Sequence, residues 1–192
     1  MARSVDNVDA VIFPLTSGTS TCNGDTSFLF LFHEVHGCRT VVRFTKLVSF
    51  ARIEQNSFGS GNIIKAVVKR YIEDALSKGI SKRKIANGLG RDIYGIELDE
   101  KLYSECIESL NLIASLYGIT KVKWQLFNDN ALSHQYNRSF DLVIGNPPYI
   151  SYKEIDEDNR QFLKDNFTVC KKGKPDYCYA FIELGINLLS EN

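Results

Sequence analysis

The chain lacks a charge excess of either sign. Its 23 Lys and Arg balance 23 Asp and Glu, a formal net charge of zero over 192 residues. A protein held on duplex DNA by phosphate contacts needs Lys and Arg in excess. These residues carry no such excess, so any basic surface they form is offset by acids elsewhere. No apolar run approaches the roughly 18 residues of a membrane-spanning helix. The N-terminus carries Asp6 and Asp9 and lacks the charged-then-apolar pattern of a secretory leader. Metal patterns are also missing. The five Cys, at 22, 38, 106, 170 and 178, are odd in number and follow no ligand spacing, and His33, His36 and His134 do not cluster with them. Reduced thiols, no metal site, no membrane and a cytoplasmic location follow as expectations. No internal repeat is found. Hydrophobic residues at 44% and charged residues at 24% are ordinary for a globular protein, and the length suits about one domain.

Proline is scarce, with four in the chain, and two of them adjoin in Phe140-Asp141-Leu142-Val143-Ile144-Gly145-Asn146-Pro147-Pro148-Tyr149. The apolar run is short enough for a buried strand and too short for a core helix. Pro147 has no N–H and restricts Asn146 to extended geometry, so the strand stops there. The result is a stiff tip at the carboxyl end of a strand, where open α/β sheets bind ligands. Such a tip suits methyl transfer to an exocyclic amino group, whose lone pair is delocalised into its ring. Two acceptors aimed at the amino hydrogens, the Asn146 side-chain oxygen and the Pro147 carbonyl, would draw the nitrogen towards tetrahedral geometry. Tyr149 could stack on the ring face.

Upstream, Ser57-Phe58-Gly59-Ser60-Gly61-Asn62 places a Gly-x-Gly turn directly before a strongly patterned helix. Ile63, Ile64, Val67, Val68, Tyr71, Ile72, Ala75 and Leu76 form its apolar stripe, and the helix ends near Gly79. Lys82, Arg83 and Lys84 read as a solvated, turn-rich connection closed by Asn87-Gly88-Leu89-Gly90. Ile93 to Asp99 reads as a strand ending in acids. Glu97 is placed to accept hydrogen bonds from ribose hydroxyls, and Asp99 to cap the next helix. That helix carries Leu102, Cys106, Leu110, Ile113 and Tyr117 on one face, with Gly118 at its C-terminal cap. Val122, Trp124 and Leu126 alternate as in a strand, which ends in Phe127-Asn128-Asp129-Asn130. Asp156 to Asn159 reads as polar loop, Phe162 and Phe167 as residues closing over the site, and Asp176 as the N-cap of a last helix through Leu189. Thr16 to Thr26 reads as loop and Phe28 to Phe32 as a strand.

The residues Asp141 to Tyr149 resemble motif IV of the amino-methyltransferases that use S-adenosylmethionine, most closely the adenine-N6 DNA methyltransferases of bacterial restriction–modification systems. The release-factor glutamine methyltransferases carry a similar tetrapeptide. The helix led by Lys174-Pro175-Asp176-Tyr177 looks like the one that follows motif IV in the DNA enzymes. Gly59, Ser60 and Gly61 resemble motif I, and Ile93 to Asp99 resembles motif II. Arg43 to Val48 resembles motif X, with Lys46 where its proline would stand.

The resemblance runs from about Ser57 to Asn192. It implies a doubly wound, mostly parallel, Rossmann-like α/β sheet built from four strands, with the family's last strands absent from these residues. The implied division is an N-terminal segment, residues 1–45, and a partial catalytic domain, residues 46–192. It also implies S-adenosylmethionine bound by Gly59, Ser60, Gly61, Glu97 and either Asp129 or Asn130. Catalysis would fall to Asn146, Pro147, Pro148 and Tyr149. The implied partner is double-stranded DNA with a flipped adenine, read by a separate target-recognition domain or subunit. Protein glutamine methylation and an inactive fragment are the alternatives. The family's motif I opens with an acid at the position held here by Gln55. The stretch before it, Ala51-Arg52-Ile53-Glu54, is half polar and a poor strand.

Overall fold

Short runs of β-branched and apolar residues alternate with amphipathic helices along this chain, and parallel pairing with crossovers satisfies both. The computed structural model describes residues 10–12 by their backbone, and residues 52–148, 150 and 152–190. The readings over Thr16–Thr26, Phe28–Phe32 and Arg43–Val48 lie outside these residues, as does Tyr149. Five strands form one sheet: β1 (Ala10–Ile12), β2 (Ile53–Asn56), β3 (Ile93–Glu97), β4 (Gln125–Asn128) and β5 (Leu142–Gly145). Their order is β1-β5-β2-β3-β4 and every pairing is parallel. The fifth strand beyond the four expected is Ala10–Ile12, which pairs with Leu142–Ile144.

Helices cover both faces. On one face α1 (Asn62–Ser77), α2 (Lys82–Asp92) and α3 (Glu100–Leu116) bury Val67, Val68, Ile72, Leu89 and Leu110 against Ile53, Leu142 and Ile144. On the other, α4 (Glu157–Asn166) and α5 (Tyr177–Leu188) bury Leu163, Ala180 and Phe181 against Tyr94, Ile96, Phe140 and Val143. The period-2 alternation along each strand sorts these residues to their faces, and the doubly wound reading holds. Local signals hold at several ends as well. Asp99 accepts from the Leu102 N–H at 2.9 Å and Asp176 from the Cys178 N–H at 2.7 Å. Gly118, at φ +68°, closes α3 through Gly118 N–H to Ser115 and Ile119 N–H to Ala114.

Four readings are corrected. The Lys82–Lys84 connection is not a loop: it opens α2, whose Lys82, Arg83 and Lys84 are exposed while Ile85 and Leu89 are buried. Its glycines are there for close approach rather than for turns. A Cβ on Gly88 would lie 2.2 Å from the Tyr71 hydroxyl, and one on Gly90 would lie 2.6 Å from the Lys123 carbonyl oxygen. Asp156 to Asn159 is not polar loop but the N-cap and first turn of α4, with Asp156 accepting from the Asn159 N–H at 2.8 Å. Val122 and Trp124 precede β4 instead of belonging to it. Phe167 is buried in the second core, with Phe162 packed against that core, so neither is a lid.

The half-polar stretch before the Gly-x-Gly turn does form a strand, and a central one. Glu54, Gln55 and Asn56 are 0%, 3% and 0% exposed between β3 and β5. Pairing along both edges overrides the weak local propensity. The register against β5 is clamped at its amino end. The Asp141 carboxylate accepts from the Arg52 backbone N–H at 2.7 Å and from Arg52 Nη2 at 2.7 Å. Burial opposes ionisation of Asp141, yet the Arg52 hydrogen bonds hold its carboxyl below the usual range. Neither Glu54 carboxyl oxygen has a partner within the chain, and burial pushes this carboxyl well above its ordinary pKa.

Two outcomes follow from this packing. Gly88→Ala forces a methyl group against a hydroxyl that is itself fixed by donating to Asp92 Oδ2 at 2.7 Å. It should lower stability by about 1–3 kcal/mol, while Ala at the exposed neighbour Asn87 should stay within about 0.5 kcal/mol. Chemical denaturation of the two variants checks this, and equal midpoints would restore the loop reading. Glu54 is raised in the folded state, so that state holds the proton more tightly than the unfolded chain does. The resulting stability is full below the unfolded carboxyl pKa of about 4.3 and is lost as pH rises towards the folded value, with a slope of about 1.4 kcal/mol per pH unit. Glu54→Gln should remove this slope. Thermal midpoints of wild type and variant from pH 4 to 8 should diverge as pH rises, and parallel curves would show that Glu54 does not titrate this way.

Candidate active site

The sequence-predicted residues converge at the carboxyl ends of four strands. Glu97 ends β3 and is 6% exposed. Its carboxylate accepts from the Gly59 N–H at 2.6 Å and the Asp99 N–H at 2.9 Å, fastening the Gly-x-Gly turn to the start of α3. Each carboxylate oxygen keeps a further acceptor position, so two hydroxyls can still be received there. Gly61 enters α1 at φ +82°, and a Cβ on it would lie 2.4 Å from Cys106 Sγ. Only glycine meets both conditions. The Cys106 thiol, pushed up to about 11 by burial, is a packing group. Ser60 lies between the two glycines and is half-buried.

The Glu97 carbonyl oxygen accepts from the Asp129 N–H at 3.0 Å and from Asn128 Nδ2 at 2.9 Å, which brings the end of β4 beside β3. Both candidates at the end of β4, Asp129 and Asn130, make local bonds. Asn130 Oδ1 accepts from the Leu132 N–H at 3.0 Å. The Asp129 carboxylate accepts from the Asn130 N–H at 2.8 Å and pairs with His134 Nδ1 at 2.7 Å. These bonds, His134 first, hold the Asp129 carboxyl below its ordinary pKa. His134 Nε2 meets the Tyr94 hydroxyl at 2.7 Å, so the line runs from the site edge into the second core.

At the end of β5, Asn146 Oδ1 is buried with no partner among the described residues, and Pro147 after it is buried as well. Pro148 is half-buried, and Tyr149 lies outside the described residues. Sequence reasoning passed over Asn56 and Tyr136. Asn56 ends β2 and pairs in register with Gly145. Its Oδ1 accepts from the Tyr136 hydroxyl at 3.0 Å, and its Nδ2 is buried without a partner. Gln55 Oε1 is buried and unpartnered as well. The signal available beforehand was three consecutive polar residues in a strand position with buried neighbours on either side.

Unpaired buried polar atoms are costly and rare in native interiors. Here Gln55, Asn56 and Asn146 collect them on two neighbouring strands, around a glycine turn that admits a ligand backbone-close. This donor set fits a cofactor with an ammonium, a diol and an amino-purine. The Gln55 oxygen is a neutral acceptor, Glu97 an anionic one, and Asp129 and Asn130 stand at the end of β4. No group of three or more His, Cys, Asp or Glu suited to a metal occurs among the described residues, and no described helix is long and apolar enough to cross a membrane.

Residues 80–192 match the family model of the Eco57I restriction-modification methylase. Over 146 residues the chain is 30% identical to the Type II methyltransferase M.BstVI of Geobacillus stearothermophilus, covering 70% of this chain and 26% of that protein. The chain thus spans about a quarter of the length of that relative. The cryo-EM structure of the DrdV–DNA complex superposes with a TM-score of 0.51 at 15% identity, covering 74% of this chain and 16% of that one, a likeness of fold. With its Asn-Pro-Pro tip, its strand-end Glu97 and a family match over more than half its length, the chain belongs to the Eco57I restriction-modification methylase family.

Proposed function

We propose that this chain supplies the cofactor-binding and methyl-transferring part of a DNA methyltransferase that modifies the N6 amino group of adenine. The observation that carries the reading is Asn146 Oδ1, a buried acceptor without a partner at the carboxyl end of β5, followed by two prolines. Membership of the family and the likeness to M.BstVI support DNA as the substrate over a glutamine side chain. Residues 46–192 form the transfer domain, with Ala10–Ile12 adding a strand to its sheet along β5. Target sequence is read by a separate domain or subunit, in keeping with a formal net charge of zero. The cytoplasm, where DNA and cofactor meet, is the place of action.

S-adenosylmethionine, when bound, supplies an electrophilic methyl group on a sulfonium. Gly59, Ser60 and Gly61 pass the chain close to its amino-acid portion, and Gln55 Oε1 accepts from its ammonium. Glu97 receives the ribose hydroxyls, and Asp129 or Asn130 the adenine amino group. The target adenine leaves the helix stack. Its amino hydrogens are donated to Asn146 Oδ1 and the Pro147 carbonyl, which frees the nitrogen lone pair, and Pro148 stiffens the turn. Tyr149 stacks on the base. The surplus proton leaves to solvent after transfer, so no acid–base pair is required.

Incubation with methyl-labelled S-adenosylmethionine tests the reading. Label should enter N6 of adenine in a duplex and not a release-factor peptide, and the reverse would assign the chain to glutamine. Glu97→Ala should weaken cofactor binding by about 1–3 kcal/mol in calorimetry, the cost of unpaired hydroxyls. Equal affinity in the variant would remove Glu97 from the site. Asn146→Ala should leave cofactor affinity unchanged and slow single-turnover methylation by about 10²–10³, or roughly 2.7–4 kcal/mol. Full activity would sink the mechanism, and lost cofactor binding would make the tip a structural turn.

A further inference from the structure

The mechanism above uses two of the three orphaned amide groups at the sheet's carboxyl edge, those of Gln55 and Asn146. Asn56 is the third. It is 0% exposed at the end of β2 and in register with Gly145, the residue before Asn146. The Tyr136 hydroxyl, 3.0 Å from Asn56 Oδ1 and 3.3 Å from the Ala131 carbonyl, directs the amide oxygen to itself and leaves the amino group facing away. Among the described residues that Nδ2 is buried and donates to nothing, while Asn146 Oδ1 is buried and accepts from nothing. The ends of two adjacent strands thus carry one unmet donor and one unmet acceptor.

The helices after β2 and β5 leave to opposite faces of the sheet, so the chain parts in two directions beyond these two strand ends. An adenine offers the complement of this pair. Its N6 amino group donates, and the ring nitrogens near it, N1 and N7, accept. Thymine and guanine present a carbonyl beside an N–H on the corresponding edge, the reverse pattern, and would leave both amide groups unpaired.

We propose that Asn56 is a substrate-positioning residue whose Nδ2 donates to a ring nitrogen neighbouring the amino group that Asn146 holds, with Tyr136 fixing the amide's orientation. The inference rests on the methyltransferase reading above. Its role is selection and alignment, since a hydrogen bond donated to the ring does not make the amine a better nucleophile. A site with a buried donor for a ring nitrogen should reject the analogue that lacks this nitrogen.

The test measures single-turnover methylation by the full chain of three duplexes, with adenine, 1-deazaadenine or 7-deazaadenine at the target position. Wild type is compared with Asn56→Ala and with Asn56→Asp, which keeps shape and the Tyr136 bond but replaces the donor with an acceptor. Both variants should lose about ten- to a hundredfold on adenine. Wild type should lose a similar factor on one deaza duplex, and on that duplex Asn56→Ala should lose little more. Calorimetry should give all three proteins the same S-adenosylmethionine affinity. If the variants lose the same factor on all three duplexes, or lose cofactor affinity, the proposal is overturned while the methyltransferase reading stands. If wild type methylates none of the duplexes, that reading fails and this inference falls with it. Should Asn56→Ala not fold, Asn56→Asp decides by the same comparisons.

Discussion

A central strand in a sheet covered on both faces has nowhere to put a polar side chain except against protein. In this chain that strand is β2, and three of its four residues are polar and buried. Each buried polar group without a partner costs about 1–3 kcal/mol. The cost is tolerated because β2 is paired along both edges and clamped to β5 by Arg52 and Asp141. Replacing the three by Val or Ile would make a better strand, with nothing to offer above it. Sequences break their own local rules at functional sites, and the break here sits directly under the glycine turn.

Glu97 has a different kind of influence. It is the acid of a strand end, and its two bonds to Gly59 and Asp99 fix two loops before any ligand arrives. Its carbonyl oxygen adds the end of β4. Three strand ends therefore meet at one residue, and the proposed cofactor half of the site is fixed by the chain's own hydrogen bonds. Preorganisation of this sort lowers the ordering cost of binding. The Asp129–His134–Tyr94 line extends the same rigidity to the second core, so the site's rim is anchored on both faces of the sheet.

Much of this was legible in the residues. β5 and its tip, the helix after the glycine turn, the acid ending β3 and the caps Asp99, Gly118 and Asp176 carry strong local signals, because prolines, caps and periodicity act over a few residues. The misreadings have two causes, packing from distant residues and local ambiguity. Gly88 and Gly90 look like turn residues, but they are small because Tyr71 and Lys123, 17 and 33 residues away in the chain, press on them. Asp156 and its followers look like loop because a capped first turn is as polar as one. β2 looks like a poor strand because its partners lie some 40 to 90 residues downstream. Of the proposed site, Gly59, Gly61, Glu97 and Asn146 carry local signals: a glycine turn, an acid ending a strand and an amide before two prolines. Asn56 carries none, since its meaning depends on Tyr136 arriving from the far side of the sheet.

The topology also says why the two halves of the site belong together. Chain order takes β2, β3 and β4 outward in one direction, with α1, α2 and α3 on one face. β5 then returns to the other side of β2, and its helices lie on the opposite face. The groups suited to a cofactor stand on the first three strand ends, and the acceptor suited to an amino group stands on β5. Methyl transfer requires donor and nucleophile to meet in line at near contact distance. The boundary between β2 and β5 is the place where the loops part and two ligands can approach from different sides. Asn56 and Gly145 are its floor, paired residue against residue. The buried polar strand, costly as it is for the fold, thus lies beneath the point at which the proposed methyl transfer would take place.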